Sequence, residues 1–67
     1  MWTVVYIATS SAAANRLVAV LREEGLMVTM RPIDSSADGR GSIEILVPDG
    51  EAEEAHEVLA EHLGHLG

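Results

Sequence analysis

The chain has 67 residues, 48% of them hydrophobic, with Trp2 and Tyr6 as its only aromatics and no cysteine. That is enough for one small core, and it excludes disulfides and thiolate chemistry. Eleven acids stand against four arginines, with no lysine, for a formal net charge of −7; such a chain repels phosphate backbones and anionic bilayers, so neither nucleic acid nor a membrane surface is expected as a partner.

Residues 1–67 read as a single α+β domain. The first strand covers about 2–8. Trp2, Val4 and Tyr6 share one of its faces; Thr3, Val5 and Ile7 share the other. Both faces are largely apolar, so periodicity alone leaves the inward face open. Because β-branched aliphatics pack well under helices, we assign Val5 and Ile7 to the core and Trp2, Val4 and Tyr6 to an open face. The competing reading puts Trp2 and Tyr6 in the core.

Thr9-Ser10-Ser11 supplies the N-cap of a helix over about 11–24. Ala14, Leu17, Val18 and Leu21 recur at three- and four-residue spacing, while Asn15, Arg16, Arg22 and Glu23 point to water. Gly25 fits the left-handed position after the helix, with Leu26 as the apolar contact that follows. A second strand is expected over about 26–33, Val28 and Met30 facing the helices and Met27, Thr29 and Arg31 facing out. Pro32 lacks an N–H, which places this strand at a sheet edge. Asp34 to Gly41 has the composition of a connecting loop.

The third strand, about 42–48, has the clearest pattern. Ile43, Ile45 and Val47 fall on one face, Glu44 and Leu46 on the other. It reads as the central strand. Asp49 is the expected cap of a second helix over about 50–63, whose first turn is crowded with Glu51, Glu53 and Glu54. Ala52, Ala55, Val58, Leu59 and Leu63 form its apolar stripe, and Gly64 ends it. A right-handed crossover from strand one to strand two leaves room for strand three between them. The predicted architecture is a β-α-β-β-α ferredoxin-like half-sandwich: a three-stranded antiparallel sheet of order 1-3-2 with both helices on one face. No fourth strand covers the outer edge of strand one.

The opening Met-Trp-Thr-Val-Val-Tyr-Ile-Ala, the Glu-Glu-Gly-Leu turn at 23–26 and Ile-Glu-Ile-Leu-Val-Pro at 43–48 before an acidic helix carry a family resemblance. They resemble a small bacterial family, the putative prokaryotic signal-transducing proteins, whose fold is similar to that of the PII nitrogen-signal regulators. The resemblance covers nearly the whole chain and implies fold more than activity. In PII regulators the loop between strands two and three carries the signalling contacts, and the matching segment here is 34–41. This segment is shorter, the fourth strand is missing, and so is the lysine and arginine set that grips nucleotide phosphates there. Nucleotide sensing is therefore not implied.

Two surfaces are candidate sites. On the open sheet face, Trp2, Val4, Tyr6, Met27 and Leu46, with Arg31 and Glu44 as polar members, form an apolar patch of the kind that marks interfaces. In the loop, Gly39-Arg40-Gly41-Ser42 with Ser36 has the elements of an anion nest. The plainer reading of the nest is a solvated loop, because phosphate loops normally lead into a helix N-terminus and this one leads into a strand. His62 and His65 stand three apart near Glu61, and His56 falls on another side. Histidines near a helix C-terminus complement its dipole, and no metal site is expected. The acids of the second helix read as a solvated face.

No nucleophile with a matching base is evident, and without lysine a pyridoxal-phosphate Schiff base is impossible. We therefore expect no enzyme activity and no cofactor. The N-terminus lacks a basic leader or cleavage pattern, which makes the cytoplasm the expected location. The reading is a small cytoplasmic interaction or regulatory module, self-associating as a homodimer or binding another protein. The alternative is a sensor of a small anionic metabolite at the 34–42 loop.

Overall fold

The computed structural model describes residues 1–33 and 42–64. The elements run β1 (Trp2–Ala8), α1 (Ser11–Glu23), β2 (Thr29–Pro32), β3 (Ile43–Pro48) and α2 (Ala52–Gly64), with a 3₁₀ turn at Asp49–Glu51 leading into α2. The sheet is antiparallel and ordered β1-β3-β2, as the sequence pattern predicts. Ile45 and Val47 of β3 are fully buried, in one cluster with Leu17 and Leu21 of α1 and Ala55 and Leu59 of α2. Both helices thus cover one face of the sheet, and among the described residues nothing covers the other.

Of the three candidate caps, Ser10 is the one used: its hydroxyl oxygen accepts the Ala13 N–H at 3.1 Å. The helix ends in a Schellman motif. Gly25 takes a positive φ of 86°. Its N–H donates to the Arg22 carbonyl at 2.9 Å, and the Leu26 N–H donates to the Leu21 carbonyl at 3.2 Å. Leu26 is buried against the core, the apolar contact that accompanies this motif.

Strand two is shorter than the 26–33 expected, because its first residues are held elsewhere. The Leu26 N–H belongs to the helix end. The Met27 N–H donates to Glu51 Oε1 at 2.9 Å. Continuing the β2–β3 register would set Met27 opposite Pro48, which has no N–H to offer. Val28 is buried as predicted. Met30 lies on the helix side, opposite Ile45, but is half exposed because β2 is an edge.

Asp49 does not cap α2, which begins at Ala52 behind the 3₁₀ turn. No side chain caps that turn. The Asp49 carboxylate instead accepts the Thr3 hydroxyl, and its N–H donates to the Met1 carbonyl at 2.9 Å. The two acids of the turn therefore fasten its flanks: Asp49 holds the start of β1, and Glu51 holds the approach to β2.

The main departure from the sequence reading lies in β1. Its seven residues pair along six residues of β3. Trp2, Thr3 and Val4 stand opposite Pro48, Val47 and Leu46; the register then shifts, and Tyr6, Ile7 and Ala8 stand opposite Ile45, Glu44 and Ile43. Val5 is the extra residue, a β-bulge. A one-residue insertion exchanges the faces of every side chain beyond it. Tyr6, assigned to the open face by plain alternation, turns in and packs against the core. Ile7, assigned to the core, turns out and is 50% exposed. Val5 packs on the core as predicted, and Trp2 and Val4 stay on the open side.

Two measurements check this geometry. Deleting Val5 leaves six residues against six with every facing pair kept, so the variant should unfold cooperatively in urea. The loss should be about 1–2 kcal/mol, the burial of one half-covered valine; collapse of the fold would contradict the assigned register. Tyr6→Glu places a charge against the core and should cost more than about 2 kcal/mol. Ile7→Glu, on the open side, should change the urea midpoint of the dissociated chain little.

Candidate functional site

The uncovered face is a grid of three rows, fixed by cross-strand register. Trp2 stands opposite Pro48 in the first row. Val4, Leu46 and Thr29 make the middle row, and Ile7, Glu44 and Arg31 make the third. Trp2 is 47% exposed and Val4 37%. Leu46, read from the sequence as an exposed anchor, is 5% exposed yet lies outside the helix-side cluster. Flanked by Val4 and Thr29, it is the floor of the patch.

Arg31 and Glu44 close one end of the grid. The Arg31 Nε donates to Glu44 Oε1 at 2.8 Å, and Nη2 lies 2.6 Å from the same oxygen. Arg31 is mostly exposed and Glu44 mostly covered. Directly opposed residues of opposite charge stabilise a strand pair, here on its solvent side. The pair also leaves the face without net charge. Glu44 is the one acid that the three strands carry. The other described acids lie at the end of α1, in the 3₁₀ turn or on α2.

The opposite end is held by the Asp49 clamp. Met1 and Thr3, on either side of Trp2, are both bonded to Asp49. The indole is therefore carried on a fixed piece of backbone. Sequence reasoning placed Trp2, Val4, Arg31 and Leu46 on this face, and the structure brings them together there. It placed Tyr6 there as well, which the bulge corrects, and it missed Ile7, whose outward turn has no signal in an unbroken apolar run.

The outer edge of β1 has no strand partner among the described residues. The bulge interrupts it midway, an arrangement that blunts an edge against pairing with another chain. This favours the face over the edge as a place of contact.

Elsewhere, Val20 and Val58 floor a shallow groove between the helices, edged by Glu24, Glu61 and His62. Among the described residues no three His, Cys, Asp or Glu side chains are grouped to hold a metal, and no helix is long and apolar enough to cross a membrane. Of the proposed anion nest, Ser36, Gly39, Arg40 and Gly41 lie outside the described residues, as does His65. Ser42 is described, and its carbonyl accepts the Ile33 N–H at 2.9 Å.

Comparison with curated proteins and with solved structures gives no match. A family model matches residues 2–62, which takes in β1, β2 and β3 and all but the last two residues of α2. The chain belongs to the family described as "putative prokaryotic signal transducing protein".

Proposed function

We propose that the chain is a non-catalytic regulatory module of a cytoplasmic signalling system, and that it works as a homodimer joined through the uncovered sheet face. The observation that carries this reading is an apolar patch on the side of the sheet opposite α1 and α2. Trp2, Val4 and Ile7 stand out from it over a buried Leu46. Exposed apolar patches with an aromatic and an arginine are typical of contact surfaces.

Charge indicates which partner. At −7, two copies repel each other wherever their acidic helices would meet. The strand face carries one acid and the arginine that pairs it, so it is where two copies approach at least electrostatic cost. Closing the face also removes apolar area from water, which matters for a chain of this length. The absence of lysine and cysteine supports a binding role over a catalytic one.

The test is solution mass by light scattering over a range of concentrations. The wild type should run at twice the chain mass and Ile7→Glu at the chain mass, with the same far-UV circular dichroism. A wild type that stays monomeric throughout would overturn self-association. A dimer that Ile7→Glu leaves intact would place the contact on another surface.

A further inference from the structure

We infer that the two copies meet about a two-fold axis that runs across the strands, along the Val4–Leu46–Thr29 row, so that Trp2 of each copy lies over the partner's Ile7. This rests on the self-association proposed above and goes beyond it by fixing the register of the contact.

A face-to-face dimer of identical sheets has its two-fold axis in the plane between them, and symmetry then dictates what each residue meets. An axis along β3 maps that strand onto its own copy and sets Glu44 against the partner's Glu44, since β3 is the middle column. Two carboxylates facing each other in a closing apolar contact are strongly unfavourable. One diagonal axis passes through the Trp2 and Arg31 corners and sets Arg31 against the partner's Arg31. The other diagonal passes through the Ile7 corner. It brings Trp2 over the partner's Arg31, but lays the Glu44 carboxylate on the partner's Val4.

The axis across the strands avoids all of these contacts. Val4 meets the partner's Val4, Leu46 meets the partner's Leu46, and Trp2 and Ile7 exchange places. Each Arg31–Glu44 pair stays within its own chain, at the rim beside the partner's Pro48 end. There its exposed arginine keeps contact with water. A buried apolar centre with a polar rim is the usual anatomy of a protein contact. The bulge supports the same register, because it brings Ile7 onto the face at the corner where Trp2 of the second copy needs an apolar partner.

The chain has no cysteine, so single cysteines can be introduced on a silent background. Facing sheets stand about 10 Å apart, too far for a direct disulfide, so a short bis-maleimide is the probe. Val4→Cys alone should cross-link to a covalent dimer. Trp2→Cys and Ile7→Cys should cross-link when mixed and not singly, since within one column the outer rows are about 14 Å apart. Glu44→Cys alone should not cross-link.

Each variant's mass is measured beforehand by light scattering, to show that it still associates. Efficient cross-linking of Glu44→Cys with none of Val4→Cys would overturn the axis while leaving the dimer in place. A wild type that is monomeric at every concentration, with no cross-link from any variant, would remove the self-association reading itself.

Discussion

Because β1 is paired to β3 at both ends, its seven residues bulge once against six, and the position of that bulge decides what this protein shows to its surroundings. Had β1 alternated without interruption, Tyr6 would face solvent and Ile7 the helices. With the extra residue at Val5, the tyrosine fills the helix side, and the patch becomes Trp2, Val4 and Ile7. The same bulge twists the outer edge of β1, which has no strand partner among the described residues, so it selects the face and discourages the edge.

β3 and the turn after it support this arrangement. β3 is buried from both sides: Ile45 and Val47 enter the helix-side core, and Leu46 is covered on the face that no helix reaches. Asp49 then bonds outward to the start of β1 and Glu51 to the chain before β2, rather than to their own helix. Six residues of strand and three of turn thus fix both flanking strands. The other described acids lie at the end of α1 and on α2, away from the sheet face. One layer is highly charged and the other is apolar with a single compensated pair. That segregation gives a chain of net charge −7 a surface on which it can meet its own copy.

Much of the fold was legible in the sequence, because it rests on patterns with local causes. The 3.6-residue stripe of α1, the left-handed Gly25 with Leu26, and the alternation of β3 each have one good structural solution. The 1-3-2 order follows from crossover handedness. What was not legible depended on contacts between distant residues. The bulge leaves no trace in Trp-Thr-Val-Val-Tyr-Ile-Ala, which has no glycine and no polar break. Asp49 sits where a cap is expected, and only the proximity of Thr3 diverts it. Strand two is shortened by Glu51, 24 residues away from Met27 in the chain. Of the site, Leu46, Glu44 and Arg31 could be placed on the open face from alternation, and Trp2 and Val4 once β-branched Val5 was set under the helices. Ile7 and Tyr6 could not, because they lie beyond the point where alternation fails.

The central claim is that the uncovered face is closed by a second copy, and Trp2 reports on it directly as the only tryptophan in the chain. The measurement is its fluorescence emission maximum on serial dilution. The account predicts a maximum at shorter wavelength in the concentrated protein that moves to the red as the copies separate, ending at the value of a chain that does not associate. A maximum that stays at the wavelength of a solvated indole at every concentration would contradict it.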